Sequence, residues 1–384
     1  MVTHWSRVPV AQAVIEPPVV CVVEALPAVR LQLSCWPSQD RMLQPVGGQR
    51  NCQNLQMSVL GHASIFLKMR FLAAGACGAV LFLGCGLFSQ ICRPQDLAPR
   101  AYVITPVHSN AVTLTYSFFD GSLTFDGTVP ITGATARFNV CGFNYAHSLN
   151  FFGRSANILV SLPYGVGNFR GNVVGAETLA YRSGLLPATV RFSVNLKGGP
   201  AMNAEEFRNW PQKTILGVSL RLVLLTGQYD PTKLINLGTN RWAFKPELGY
   251  SRRWGHWILD GYGGAWFYTI NPEFSSHNQF SPGTNTQTEN PIGSFEGHLS
   301  YDFKPRLWVS FDANYWFGGS TSLNGVQNPG TLQRNSRVGF TASVPLSRHQ
   351  SMKVSYNNGA YIKYGGNFQN VSVAWQYTWL GRPN

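Results

Sequence analysis

Hydrolytic chemistry needs a nucleophile, a base within hydrogen-bond reach of it, and a third group that orients the base. Four residues of this chain have suitable types: the adjacent pair His147-Ser148, and His298 together with Asp312. Whether they meet depends on the fold, because the two pairs lie far apart in sequence. A second candidate is glycine-rich, Gly165-Val166-Gly167 with Gly171, which superficially suggests a phosphate cradle. Such a cradle opens a helix at a fixed spacing. No helical pattern follows here and the spacing is wrong, so these glycines read as a loop. Cysteine offers less still. Cys21, Cys35, Cys52, Cys77, Cys85 and Cys92 precede position 100 and only Cys141 follows, with no C-x-x-C pair, so neither a zinc nor a redox motif is present. No cofactor is expected.

The composition narrows the field further. Charged residues make up 12% of the 384 residues, about half the usual share for a soluble domain. That argues against an ordinary soluble enzyme, whose surface needs more charge. An aromatic content of 13% argues against disorder. The net charge of +13 is carried by Lys and Arg spread singly rather than in a patch, so nucleic acid is not expected as a partner. The chain is also uneven. All 15 Tyr lie after position 100, as do all but two of the 11 Trp and all but four of the 24 Phe. Two kinds of sequence join near residue 95.

The first of them contains Phe71–Phe88, an uncharged apolar run preceded by Lys68 and Arg70. A transmembrane helix needs ~20 apolar residues, which puts this run at the lower limit. A secretory signal needs a basic start followed by a short apolar stretch, and Met69-Arg70 before the run supplies both. Residues 69–90 are therefore read as a signal peptide, with the lipobox-like Phe82-Leu83-Gly84-Cys85 as an alternative. The mature N-terminus is expected between Gly84 and Leu97. Residues 1–68 show neither period 2 nor period 3.6, and read as a start-site overcall or a disordered extension. Residues 91–110 read as a periplasmic N-terminal segment.

From Ala111 onward the pattern is alternation. Phe295, Gly297, Leu299, Tyr301 and Phe303 interleave with Glu296, His298, Ser300 and Asp302. Leu307, Val309, Phe311, Ala313, Tyr315 and Phe317 interleave with Ser310, Asp312 and Asn314. Period 2 places each set on one face of a strand. Tight turns near 253–255, 304–306 and 347–349 alternate with long polar segments at 229–239, 272–289, 319–333 and 361–367. Outer-membrane barrels have that asymmetry, with short periplasmic turns and long outer loops, and a soluble sandwich has no reason to keep it.

Parity fixes the strand number. Thirteen segments look strand-like, yet a single-chain barrel with both ends in the periplasm needs an even number. Segment 172–182 is the weakest, because Gly175, Glu177 and Arg182 interrupt its faces. Without it, 164–186 becomes a long outer loop over or inside the lumen. The 120–133 loop then also lies outside, and 198–212 is left as the long periplasmic connection. The expected fold is all-β, a transmembrane antiparallel up-and-down β-barrel of about 12 strands over residues 111–380. An apolar outer face with aromatic girdles explains why the chain is rich in aromatics and poor in charge.

Alternation places Arg137, Arg191, Arg221, Glu247, Arg253, Asp260, Glu296, Asp312, Arg337 and Lys353 inside the barrel, and Leu299, Phe311 and Val373 against lipid. The inward set has two readings. It forms a buried salt-bridge lattice that fills a narrow lumen, or it lines a solute path and sets its charge preference. Twelve strands lie between eight, whose interior is just filled, and sixteen, which leave a channel, so both readings stay open. His298 fits the lumen as well as it fits a hydrolase.

Several stretches resemble a known family. They are Phe152-Gly153-Arg154-Ser155-Ala156, Leu162-Pro163-Tyr164, Gly227-Gln228-Tyr229-Asp230, and the block Asn240-Arg241-Trp242-Ala243-Phe244-Lys245-Pro246-Glu247-Leu248-Gly249. The last strand, Val371-Ser372-Val373-Ala374-Trp375-Gln376-Tyr377, fits too. Over roughly 97–379 the chain resembles bacterial outer-membrane proteins of the "MetA-pathway of phenol degradation" family, often labelled transporters. The resemblance implies a barrel and transport, and it carries over no catalytic residue. The expected function is an outer-membrane channel for passive uptake of small hydrophobic or aromatic solutes, not an enzyme. Two alternatives stand beside it: an outer-membrane hydrolase acting on lipid or ester, and a structural barrel with a blocked lumen. The expected surroundings are outer-membrane lipid and lipopolysaccharide, the outer-membrane assembly machinery and a small hydrophobic solute. The chain is expected to be a monomer in the bacterial outer membrane.

Overall fold

Alternating apolar and small polar residues make strands whose two faces demand different surroundings, and a sheet in a membrane must close so that no backbone edge meets lipid. The computed structural model describes residues 97–125 and 129–381. The expected extension 1–68 and signal peptide 69–90 lie outside the described residues. In chain order come β1 (Ser109–Thr124), β2 (Ile131–Phe151), β3 (Arg154–Val173), β4 (Ala176–Leu185) and β5 (Thr189–Lys197). A short helix, α1 (Ala204–Asn209), precedes β6 (Thr214–Val223), β7 (Ala243–Trp254) and β8 (Trp257–Tyr268). Then follow β9 (Gln287–Glu289), β10 (Ile292–Lys304), β11 (Leu307–Gly318), β12 (Thr321–Leu323) and β13 (Val326–Asn328). The last three are β14 (Gln333–Pro345), β15 (Gln350–Ile362) and β16 (Gly365–Leu380).

β1 pairs antiparallel with both β2 and β16, which closes the wall into a 12-stranded barrel. Short β9, β12 and β13 form a separate sheet in the outer loops. One wall position is shared. β5 pairs with the lower half of β3, from Ala156↔Val194 to Ser161↔Thr189, and β4 pairs with the upper half, from Tyr164↔Leu185 to Val173↔Ala176. The break between them is Leu186-Pro187-Ala188, where proline lacks the N–H a ladder needs.

This arrangement corrects one expectation. Residues 164–186 are not a loop in the lumen; they are a β-hairpin that lengthens the wall, turning at Val174 and Gly175 with positive φ at both. The strand number survives because β4 and β5 occupy a single place. The expected outer loops at 120–133 and 361–367 are shortened, since β1 runs to Thr124, β2 starts at Ile131, β15 runs to Ile362 and β16 starts at Gly365, all further than their apolar alternation. The long periplasmic connection, 198–213, holds as expected and carries α1, whose first turn is capped reciprocally by Asn203 and Glu206.

Two regimes of polarity divide the wall. Over most of the barrel, outward residues are apolar and aromatic. Near the periplasm Trp257 stacks edge-on to Tyr301 at 4.9 Å, and near the outer end Phe244 stacks on Phe267 at 6.0 Å. These are the two girdles expected of a membrane barrel. β2 and β3, at 21 and 20 residues, are about twice the ~9–11 residues that a tilted strand needs to cross lipid. Above the membrane their polarity inverts. Outward Leu114, Tyr116 and Phe118 of β1 give way to Asp120 and Ser122, while inward Thr115 and Ser117 give way to Phe119 and Leu123. On β2, outward Phe143 gives way to Asn139 and Arg137, and inward Asn144 gives way to Val140 and Phe138. The inner face of this projection packs Ile131, Phe138, Phe169 and Phe368 into an apolar cluster.

The connection 224–242 lies along the edge of β4 opposite β3. Gln228 donates its backbone N–H to the Leu185 carbonyl at 2.9 Å, and Arg182 Nε donates to the Ile235 carbonyl at 2.8 Å.

Candidate functional site

The lumen is the space into which the buried ionisable side chains converge, and it is built in layers. The lowest layer is the N-terminal segment. Residues 97–108, expected in the periplasm, instead run inside the barrel. Tyr102 and Ile104 are buried there with Met202, Ile215 and Tyr262. The Tyr102 hydroxyl donates to Glu247 Oε1 at 2.9 Å and lies 3.0 Å from Ser219 Oγ. Its ring occupies room that only glycine leaves: a Cβ on Gly249 would stand 2.1 Å from it, and one on Gly217 2.5 Å. Arg100 donates to Asp302 at 2.7 Å, and Arg253 reaches the other oxygen of the same carboxylate at 2.6 Å. The Arg100 and Ala101 backbone N–H groups donate to Asp260 and to the Tyr262 hydroxyl at 3.2 and 3.0 Å.

Above the segment runs a chain of buried charges. Arg191 Nη2 donates to Glu247 Oε1 at 3.3 Å. Lys245 Nζ stands 2.7 Å from Glu247 Oε2 and 2.8 Å from Glu296 Oε1. His298 lies 3.8 Å from Glu296 and, through Nδ1, 2.8 Å from Asp312 Oδ1. Ser310 and Thr341 each donate to Asp312 at 2.6 Å. Arg337 donates to Asn357 at 2.8 Å. Charges taken out of water survive only when paired and hydrogen-bonded on several sides, and here each carboxylate of the chain has two or more partners.

The uppermost layer is apolar. A cavity of about 320 Å³ is walled by Leu123, Leu186, Pro187, Leu237, Phe274 and Phe368, with Arg221 also facing it. The Arg241–Glu289 ion pair also lines this mainly apolar cavity, with Gln333 donating to the second Glu289 oxygen at 3.2 Å.

The expected lumen residues thus fall into groups. Arg191, Glu247, Asp260, Glu296, Asp312 and Arg337 are buried inside, and Arg221 and Arg253 face inward. Lys353 faces the lower lumen, with Nζ 5.7 Å from the Trp308 ring centroid. Arg137 is the exception. It lies on the outward face, exposed, 3.2 Å from Asp120, because it belongs to the projection, where outside means water. Two residues of the lattice, Lys245 and Asp302, were not among the expected lumen residues, although Lys245 shares the parity of Glu247 and the alternation had already put Asp302 on the polar face with Ser300.

The hydrolase constellation does not assemble. His147 Nδ1 lies 2.8 Å from Asn110 Oδ1, and Ser148 donates to the Pro106 carbonyl at 2.6 Å, both at the periplasmic end of β2. His298 and Asp312 sit within the lattice, where the nearby Ser310 bonds Asp312 rather than the imidazole. Gly165 and Gly171 lie on the inner face of β3, against Leu186 and Ile131, with no helix N-terminus nearby.

A closed antiparallel barrel with an aromatic-belted apolar exterior and a charged, hydrogen-bonded interior is a bacterial outer-membrane β-barrel. The chain belongs to the family described as "Putative MetA-pathway of phenol degradation", whose model matches residues 120–361. Among solved structures it is similar to the COG4313 outer membrane channel from Pseudomonas putida F1. The TM-score is 0.60 at 16% identity, over 74% of this chain and 100% of that one. The TodX monoaromatic hydrocarbon channel (deltaS2 mutant) gives a TM-score of 0.39 at 10% identity, over 72% and 91% of the two chains. The KdgM porin in complex with disordered oligogalacturonate gives 0.36 at 9%, over 70% and 98%. No curated protein sequence matches the chain.

Proposed function

We propose that the protein is a passive outer-membrane channel for small hydrophobic, ring-sized solutes. The observation that carries this reading is the apolar cavity of about 320 Å³ in the outer half of the lumen, above a polar half filled by the charge lattice and by residues 97–108. A hydrated ion meets Tyr102 and its partners, whereas an apolar solute finds a pocket of the size and character that bind small ligands, roughly 300–1,000 Å³ and mostly apolar. On this reading the inward charges hold the barrel interior together rather than select a solute, and His298 with Asp312 is structural rather than hydrolytic.

Refolded protein in vesicles should speed toluene entry above that of protein-free vesicles while showing little ion conductance. Wide-pore conductance without toluene flux would refute the reading. Neither activity would support the blocked structural barrel.

A further inference from the structure

The projection leaves a second apolar space nearer its tip. A cavity of about 410 Å³ lies between the inner faces of β2, β3 and β4 and the connections 224–242 and 269–286. Ile131, Phe169, Val173, Leu234, Ile235 and Phe280 provide its apolar lining. Three cations also line it: Arg170, Lys233 and Arg182. Two are neutralised where they stand. Arg170 lies 2.6 Å from Glu177, and Lys233 lies 2.8 Å from Asp230. Hydrogen bonds from Lys233 and Thr232 hold the Asp230 carboxyl down at about 2, so that pair stays ionised at any ordinary pH.

Arg182 differs. Its Nε donates to the Ile235 carbonyl and its Nη1 to the Tyr181 carbonyl, both at 2.8 Å. Two carbonyls hold the guanidinium in place without cancelling its charge, no carboxylate salt-bridges it among the described residues, and Asp230, which acts on it through space, is itself bound by Lys233. A half-buried, pre-positioned cation beside apolar walls selects a molecule that is apolar over most of its surface and anionic at one end. The planar fork of a guanidinium matches the two oxygens of a carboxylate. We propose that the outer cavity is a binding site for aryl carboxylates, with the ring against Phe169, Leu234 and Ile235 and the carboxylate on Arg182.

Leu234 and Ile235 line the inner cavity as well, so they form the partition between the two spaces. The hydrogen bond from Arg182 to Ile235 ties that partition to β4. The site thus lies ahead of the lumen cavity and rests on the reading of the barrel as an uptake channel for hydrophobic solutes, to which it adds a preference for a negative end.

Titration calorimetry of the folded full chain with benzoate, and with its neutral counterpart benzamide, tests the site. Wild type should bind benzoate at least tenfold more tightly than benzamide. Arg182→Gln should abolish that preference, and Arg182→Lys, which keeps the charge and loses the fork, should retain part of it. Ala180→Trp, which fills the cavity from β4 and leaves Arg182 itself unsubstituted, should remove binding of both ligands. Equal affinities in wild type, or a preference that survives Arg182→Gln, would overturn the site. Folding of each variant is read from its heat-modifiable gel mobility, and if Arg182→Gln fails to fold, Arg182→Lys decides by whether the preference falls. Toluene flux in the same proteins separates the two readings. Benzoate binding without toluene flux would sink the uptake reading and leave the site standing. Flux without benzoate preference would do the reverse.

Discussion

Tyr102 is held by two features that act together: its hydroxyl reaches Glu247 and Ser219, and its ring lies in the space left by Gly217 and Gly249. Hydrogen bonding alone would position the hydroxyl, but the missing Cβ atoms let the ring approach the wall at all. Gly249→Val would place carbon where the ring now sits. The barrel has no reason to unfold, because Gly249 is an ordinary β7 position paired with Gly217 and Tyr262. The expected result is a folded protein whose N-terminal segment is displaced, with single-channel conductance raised several-fold. Conductance unchanged from wild type would show that the segment does not seal the polar lumen. Little of this was legible beforehand. Residues 97–108 carry no periodicity, and their place is set by contacts with strands distant in sequence. In the block Asn240–Gly249 the alternation was legible for Glu247, and the structure extends it: Arg241, just before β7, and Lys245, Glu247 and Gly249 on β7 face inward and span the lumen from the apolar cavity to the N-terminal segment.

Strands report which residues share a face; they do not report what medium lies beyond it. That is why alternation located Leu299, Phe311 and nine of the ten expected lumen residues, yet misplaced Arg137. It also explains why β4 read as a loop. Arg182 and Glu177 interrupt a lipid-facing pattern, but they suit a strand with a cavity on one side and water on the other. The two regimes predict opposite mutational behaviour within a few residues. Leu114 lies on the lipid face of β1, where Arg costs about 2–4 kcal/mol near the bilayer midplane. Arg137 lies on the same outer surface higher up, in an exposed pair with Asp120, and such pairs contribute ~0–1 kcal/mol. Urea-titrated folding into vesicles should therefore show a large loss for Leu114→Arg and almost none for Arg137→Leu. Comparable losses would mean that the projection is immersed in lipid.

At the scale of the molecule, a membrane barrel carries on one side a piece of sheet built like soluble protein. Closure and strand number were legible from parity, because the topology of a single-chain barrel admits few solutions. The shared wall position was not, since nothing in a sequence distinguishes two strands from one strand interrupted by Leu186-Pro187-Ala188. The projection should be separable from the wall beneath it. Joining Gly165 to Gly184, which are paired across the hairpin, by a two-residue turn removes the upper part of β3 and nearly all of β4. The shortened protein should keep heat-modifiable mobility and its toluene flux while losing benzoate binding. Loss of folded mobility would show that the hairpin supports closure of the wall.

The height at which the wall exchanges its polarity also acts as a waterline. Below it the exterior is apolar and above it polar, so the barrel has one depth of immersion that leaves neither regime in the wrong medium. A bilayer of different thickness cannot be met by letting the molecule ride higher or lower, because that would wet Phe118 or drag Asp120 into hydrocarbon. The lipid has to stretch or thin around the rim instead, at a cost of a fraction of a kcal/mol per Å of mismatch. On the side of β1 to β4 the protein therefore sets the local thickness of its membrane.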